Sequence, residues 1–317
     1  MTGTSKTDQE GQAGVTRLDE GLWQIDLGFQ GTPEVIAAYL LAGNGELALV
    51  ESGPSSTLPA LRAGIEAAGF RVEDLTAILV THIHLDHSGA AGVLLDEAPG
   101  ARVFVHPVGA PHLVDPARLV SSATRIYGER MGPLWGEVRP IATEKVVALD
   151  DGQTLSVAGR VLAALHTPGH AGHHVAFWDA GAGVAFTGDV GGIHIPETDY
   201  VCPPTPPPDL DPVAWRASIA RLEGLGARRL CLTHFGAVDD PAAHLGALLP
   251  ELEAFLRLGE EAVVRGDDQA ALTATLHARM AERIGDVPLE KLERLEWATP
   301  SYMAAMGLTR WVTKRSR

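Results

Sequence analysis

Residues 81–89 carry four potential metal ligands, His82, His84, Asp86 and His87, within six positions. Neutral imidazoles and a carboxylate are donors that zinc, iron and manganese accept. One histidine in a loop is usually an ordinary polar residue, but the pattern His-x-His-x-Asp-His concentrates donors beyond what a loop needs. The alternating spacing lets His82, His84 and Asp86 project from a turning loop toward one point.

Each donor of this set follows a predicted strand. The apolar, β-prone run 77–80 precedes the motif, and a short helix is predicted over 89–95. Further donors that leave predicted strands are His170 after 160–166, Asp189 after 183–187 and His234 after 229–233, which we predict to be the final strand. The two oxygens of Asp189 could bridge two cations, which a histidine cannot do.

The turn 167–174 contains more histidines than one site can use. His170 lies directly at the rigid Pro-Gly turn and is the predicted ligand. We expect His166, His173 and His174 to support the site through hydrogen bonds or to pack in the core. His106 and His112 could line the pocket or lie on the surface, and the sequence leaves both roles open.

The remaining pattern predicts strands first and helices last. Strands are expected at 22–27, 35–41 and 46–50, followed by a helix over 58–68. The segment 116–140 is a long insertion bearing arginines and aromatic residues. It could be a substrate lid or a helix packed on the core, and both interpretations stay open.

Beyond residue 240 the sequence predicts helices alone. They are expected at 245–264, 269–284 and 289–298, with a further short helix starting at 299–301. We therefore predict a flexible N-terminus over 1–14, a catalytic domain over 15–240 and a helical appendage over 241–317.

Composition restricts the partners. The 317 residues are 45% hydrophobic and carry a formal net charge of −15, which disfavours nucleic acid and anionic membranes. Cys202 and Cys231 match neither a disulfide framework nor a thiolate zinc site. Without a signal or spanning segment in the sequence, we expect a cytoplasmic protein, with homo-oligomerisation left open.

The order of these donors resembles the metallo-β-lactamase superfamily over about residues 15–240. The resemblance implies an α/β fold of the αββα sandwich type, with the site at the sheet edges. It implies one metal held by His82, His84 and His170, a second held by Asp86, His87 and His234, and Asp189 bridging them. The runs 167–170 and 187–189 resemble the hydroxyacylglutathione hydrolase (glyoxalase II) branch. Glu51 stands where the superfamily usually has aspartate.

The resemblance implies a dinuclear metal-dependent hydrolase. Its cofactors would be two divalent cations, with zinc expected and iron or manganese as alternatives. A bridging hydroxide would attack the substrate, and Asp86 would be the catalytic residue that orients this nucleophile. We expect a small thioester, ester or lactone. The alternatives are a phosphodiesterase or ribonuclease, and a non-hydrolytic iron protein such as a persulfide dioxygenase or a metal-binding module without catalysis.

Overall fold

The structure is a computed structural model that describes residues 14–285 and 288–315. The predicted flexible N-terminus lies outside the described residues except for Gly14. The described strands are β1 (Val15–Asp19), β2 (Leu22–Asp26), β3 (Ala37–Gly43), β4 (Glu46–Val50), β5 (Leu75–Leu79), β6 (Arg102–Val105), β7 (Val146–Ala148), β8 (Thr154–Val157), β9 (Arg160–His166), β10 (Val175–Asp179), β11 (Val184–Phe186), β12 (Ile193–His194), β13 (Val201–Cys202), β14 (Arg229–Leu232) and β15 (Gly236–Val238).

Helices connect and cover these strands. The described α-helices are α1 (Leu58–Ala67), α2 (Leu85–Ser88), α3 (Ala91–Glu97), α4 (Ala110–Val114), α5 (Ala117–Tyr127), α6 (Met131–Trp135), α7 (Pro212–Glu223), α8 (Pro241–Arg265), α9 (Gln269–Ile284), α10 (Leu289–Ala298) and α11 (Ser301–Arg315).

The strands form two large sheets and a small ribbon. The first sheet has the order β1-β2-β3-β4-β5-β6-β7, and the second has the order β15-β14-β11-β10-β9-β8. Strands β4 to β7 run parallel to one another, as do β11 and β14. Strands β12 and β13 pair separately. Because parallel strands end at the same edge, this topology gathers the residues that follow them.

Local sequence explains the first meander. Strands β3 and β4 pair with Gly43 opposite Glu46, so Asn44 and Gly45 form a two-residue turn. Both have positive φ, 53° and 77°, which is the backbone that an Asn-Gly hairpin turn requires. The predicted turn is therefore present, and it sets the register of β4, the strand that leads to Glu51.

Three apolar cores separate four layers. Tyr39 and Leu41 of the first sheet pack between the sheets against Phe177 and Phe186 of the second. The opposite face of the first sheet packs against helices that include α1 and α3, and the opposite face of the second sheet packs against α7 and α8. The result is the predicted helix-sheet-sheet-helix sandwich.

The C-terminal helices share the outer core of the second sheet. Phe255 of α8 and Leu276 of α9 are fully buried in the same cluster as Trp215 of α7. Asp240 and Asp268 cap the N-termini of α8 and α9 by accepting backbone hydrogen bonds. The division at residue 240 stays a prediction. No helix in the described part of the chain is long and apolar enough to cross a membrane.

Some elements differ from the prediction. The pattern did not predict β1 or β10, and 229–233 is not the final strand, because β15 pairs with β14 after a tight return at Gly236. The helix predicted to be short after residue 299 continues to Arg315 because its apolar side packs on α8 and α9. Tertiary packing thus extends or creates elements that have little local signal.

Candidate metal centre

The sheet topology brings the ends of five strands to one place. In the first sheet, β4 leads to Glu51, and the parallel neighbour β5 leads to residues 81–87. In the second sheet, β9, β11 and β14 point the same way and lead to His170, Asp189 and His234. All seven donors predicted from the sequence therefore meet where the two sheets face each other.

Three imidazoles form the first donor group. His84 Nδ1 lies 2.9 Å from His82 Nε2 and 3.0 Å from His170 Nε2. Donors about 2.0–2.1 Å from a tetrahedral zinc ion would be roughly 3.3 Å apart, so the spacing is close to that of such a site. All three nitrogens lie within 4.8 Å of one another. Small outward rotations would open the group around a cation.

Asp86, His87 and His234 form the second donor group. Asp86 Oδ2 lies 3.4 Å from His234 Nε2 and 3.8 Å from His87 Nε2. The two histidines are buried, whereas the Asp86 side chain is 20% exposed. This group therefore has one donor that faces accessible space.

Asp189 lies between the two groups. Its Oδ2 is 3.3 Å from His170 Nε2 in the first group. Its Oδ1 is 3.2 Å from His87 Nε2 and 3.5 Å from His234 Nε2 in the second. A single-turn 3-10 helix over Gly188–Gly191 holds the carboxylate in this position.

Hydrogen bonds behind the donors fix the ring orientations. In three of the histidines, Nδ1 donates to an oxygen and leaves the Nε2 lone pair directed toward the site. These contacts are His87 to Glu51 Oε1 (3.0 Å), His170 to the Pro204 carbonyl (2.9 Å) and His234 to the Val35 carbonyl (2.7 Å).

The chemistry of the donor set fits divalent cations. His87 Nε2, His234 Nε2 and Asp189 Oδ1 are buried and have no hydrogen-bond partner within residues 14–285 and 288–315. Buried polar atoms are normally paired, so three unpartnered atoms around one point need an explanation. A cation would satisfy them, and imidazole and carboxylate are suitable ligands.

Burial keeps the first group neutral. Burial lowers the pKa values of His82 and His84 well below the ordinary value, and neighbouring imidazoles lower them further. Burial also lowers the pKa of His170, although Asp189 opposes the shift. Neutral imidazoles have the free lone pairs that a metal requires.

The second group has the opposite electrostatics. Burial lowers the pKa of His87, but the carboxylates of Asp189, Asp86 and Glu51 outweigh burial and raise it well above the ordinary value. Asp189 and Asp86 likewise raise the pKa of His234 above the ordinary value, although burial opposes this rise. A bound cation would supply the positive charge that these carboxylates favour, in place of protons on His87 and His234.

Glu51 belongs to the site, and we did not predict it as a functional residue. Its side chain is 1% exposed and accepts hydrogen bonds from Thr81 Oγ1 over 2.6 Å and Thr233 Oγ1 over 3.0 Å, besides that from His87. Glu51 thus links strand ends of both sheets. The available signal was an acidic residue directly after a buried strand.

The other histidines have distinct surroundings. His174 Nδ1 lies 2.8 Å from Thr167 Oγ1, and a Cβ on Gly188 would lie 2.6 Å from His174 Nε2, so this imidazole packs directly beneath the Asp189 turn. His166 Nε2 donates to the Leu149 carbonyl and stacks near His106, away from the donor groups.

A cavity of about 860 Å³ opens beside the donors. His84, Asp86 and Asp189 line one side of it, together with His112 and His173. Helices α5 and α6, which form most of the insertion 116–140, line another side, and the segment also packs on the core through buried Leu134. The insertion therefore lines the cavity and also packs on the core, and its action as a substrate lid stays a prediction.

Comparison with known proteins shows similarity over most of the chain. The family model described as the metallo-beta-lactamase superfamily matches residues 31–234. Metallo-beta-lactamase fold-containing protein ST1585 of Sulfurisphaera tokodaii is 27% identical over 223 residues, which cover 69% of this chain and 80% of the relative.

Two further similarities bear on activity and on the C-terminal helices. The hydroxyacylglutathione hydrolase of Aeromonas hydrophila is 30% identical over 115 residues, and the match spans 36% of this chain but only 33% of that enzyme. The crystal structure of metallo-beta-lactamase family protein TTHA1429 from Thermus thermophilus superposes with a TM-score of 0.66 at 26% identity and covers 95% of both chains. This second similarity includes the helices beyond residue 240.

Proposed function

This chain belongs to the metallo-beta-lactamase superfamily and is a metal-dependent hydrolase, and from that premise we propose that it uses two divalent cations to hydrolyse a small thioester, ester or lactone. The observation that carries the proposal is the position of Asp189, whose two oxygens reach the histidines of both donor groups. One carboxylate between two sets of donors is the arrangement that a bridged pair of cations needs.

Each donor has a proposed role. One cation would be held by His82, His84 and His170, the other by Asp86, His87 and His234, with Asp189 as the shared ligand. Zinc suits these nitrogen and oxygen donors, and iron and manganese are the alternatives. When bound, the cations would acidify a water molecule and polarise the substrate oxygen.

Asp86 is the proposed catalytic residue. It lines the cavity, and its carboxylate is more exposed than the second group's histidines. Burial raises its pKa, but His87 and His234 outweigh burial and lower the pKa to about 2. An ionised carboxylate at the cavity surface can accept a hydrogen bond from the attacking water and hold it in line with the substrate.

The hydrolase relative supports an acyl substrate. The similar Aeromonas enzyme is by name a hydrolase of hydroxyacylglutathione, in which an acyl group is joined to a thiol. Both cysteines of this chain are buried away from the donors, in the cores of the sandwich. We infer that the nucleophile is water oriented by the site and not a thiol of the protein.

A metal and substrate panel tests the proposal. Protein purified without added metal is analysed for metal content, stripped with a chelator and reloaded separately with zinc, iron or manganese. We expect two cations per chain and hydrolysis of a thioester, followed by thiol release, or of a lactone, followed by acid release. One iron per chain with oxygen consumption on a persulfide would overturn the proposal, as would turnover of bis-p-nitrophenyl phosphate or RNA alone.

A further inference from the structure

The cavity beside the donors is enclosed by elements from distant parts of the chain. Phe29 comes from the loop after β2, Trp135 ends α6, and Trp297 and Met303 come from the C-terminal helices. These side chains and the donors His84 and Asp86 line one continuous space. Whatever enters it therefore lies against apolar groups on one side and reaches the reacting centre on the other.

An aromatic cluster forms the apolar wall. Phe29 stacks on Trp135 with ring centroids 5.6 Å apart and meets Trp297 edge to face at 5.9 Å. Tyr127 packs against Trp135 at 5.1 Å. Rings that brace one another in this way form a rigid apolar surface, which binds apolar groups at little cost in side-chain entropy.

The wall also contains an unused hydrogen-bond donor. Trp135 is 8% exposed, and its indole Nε1 has no acceptor within the described residues. A buried indole N–H usually finds a partner. Because this nitrogen has almost no accessible surface, Trp135 presents ring carbons and not its N–H to the cavity, which keeps the wall apolar.

We propose that this cavity holds the acyl group of the substrate and selects bulky apolar acyl groups, with a linear medium-length chain or an aryl ring, over acetyl. The inference rests on the proposed function, because the same donors must cleave the bond at the cavity's inner end. The volume of about 860 Å³ greatly exceeds what acetyl fills, and the wall is aromatic where the acyl group would lie.

The selectivity is measurable with one carrier. Acetyl, butyryl, octanoyl and phenylacetyl thioesters of N-acetylcysteamine share a neutral thiol, so Arg118 and Arg130 at the cavity contribute no charge attraction that differs between them. Each buried methylene can contribute roughly a factor of three to four. We expect kcat/KM of the zinc-loaded enzyme to rise at least ten-fold from acetyl to octanoyl or phenylacetyl, and the larger of the two values identifies the preferred shape.

Two neighbouring serines give a matched pair of variants. Ser122 lines the cavity, whereas Ser121 does not. Both serines lie on the exposed side of α5, and both accept a hydrogen bond from the Arg125 guanidinium. Ser122→Trp should lower the octanoyl-to-acetyl ratio of kcat/KM at least ten-fold by filling the space. Ser121→Trp adds the same ring outside the cavity and should keep the wild-type ratio.

Binding of the free acids separates this inference from the proposed function. In isothermal titration calorimetry, octanoate and phenylacetate should bind the metal-loaded protein more tightly than acetate does, and Ser122→Trp should weaken octanoate binding. Acid binding without hydrolysis of any thioester, ester or lactone would keep the cavity assignment and overturn the proposed function. Equal kcat/KM for acetyl and octanoyl in wild type would overturn the assignment while the hydrolase stands.

Discussion

Glu51 Oε1 accepts a hydrogen bond from His87 Nδ1 over 3.0 Å, and both side chains are almost completely buried. The carboxylate therefore fixes which ring nitrogen of His87 faces the donors of the second group. The same oxygen also accepts from Thr81 and Thr233, so the contact ties the ends of β5 and β14 together. Carboxylates behind a ligating histidine orient it and increase its basicity.

Replacing Glu51 should weaken metal binding without removing a donor. Glu51→Gln keeps the shape but loses the charge that faces His87, so we expect about 10- to 100-fold weaker affinity for at least one cation. Titration with zinc in competition with a chromophoric chelator measures the affinity of the protein for each cation. Glu251→Gln is the control, because Glu251 is an equally buried glutamate that pairs with Arg279 in the outer core. Wild-type affinity in Glu51→Gln would contradict the role of Glu51.

Replacing Asp189 should remove the link between the donor groups. Asp189→Asn replaces the carboxylate with a neutral amide that has a single acceptor oxygen, so it should leave fewer than two cations per chain, with activity reduced by orders of magnitude. Elemental analysis after gel filtration gives the stoichiometry. Asp179→Asn provides the comparison, since Asp179 is also buried but pairs with Arg160 at the end of β10. The same metal content in wild type and Asp189→Asn would show that Asp189 does not bridge.

Two glycines of the 167–174 turn should respond differently to a methyl group. Gly169 has φ of +145°, and a Cβ there would lie 2.4 Å from the Trp215 Cα, whereas a Cβ on Gly172 meets nothing within 4 Å. Gly169→Ala must displace α7 or the turn that carries His170, at a cost of about 1–3 kcal/mol or more. Gly172→Ala should stay within about 0.5 kcal/mol of wild type. Urea unfolding measures the free energy of unfolding of both variants. Equal values would contradict the close approach of Gly169 to Trp215.

His244 should contribute to acid lability. Burial lowers its pKa to about 4 from the ordinary 6.5, although its Nε2 donates to the Gly191 carbonyl over 2.7 Å. Below pH 6.5 the unfolded chain takes up this proton first, so the free energy of unfolding decreases as the pH falls toward 4. Because one pKa unit corresponds to about 1.4 kcal/mol, the loss is about 3 kcal/mol at most.

Comparison of two variants isolates that contribution. His244→Gln should show a smaller decrease in unfolding free energy between pH 7 and pH 4 than wild type. Ala278→Gln, which adds the same side chain to the exposed side of α9 without removing a titratable group, should keep the wild-type slope. An unchanged slope in His244→Gln would show that the buried imidazole does not control stability in this range.

The sequence predicted those parts of the molecule that have a local signature. His82 and His84 lie in a dense motif after a buried strand, and α9 and α10 have the predicted bounds because an aspartate cap or a proline marks their beginnings. Strand β10 was missed because Val175 follows directly on a histidine-rich turn, which hides the start of the strand.

Contacts between distant segments had no such signature. Glu51 gains its role only because β4 and β5 are parallel neighbours, a relationship that a single acidic residue does not reveal. Trp135 lies in the insertion 116–140, for which the sequence left a lid open, whereas Phe29 and Trp297 have no functional signal in the sequence. Only the fold brings the three rings into one wall. Strand register and long-range packing therefore determine the role of Glu51 and the composition of the cavity wall, which local sequence patterns do not predict.

The donors and the cavity wall are supplied by different stretches of the chain. Strand exits supply the donors, whereas the insertion 116–140 and helices α10 and α11 supply much of the wall. Residues of the wall can therefore change while the reacting centre keeps its ligands. A scaffold divided in this way could be adapted to acyl groups of different shape by redesigning helices alone, with the hydrolytic chemistry inherited intact.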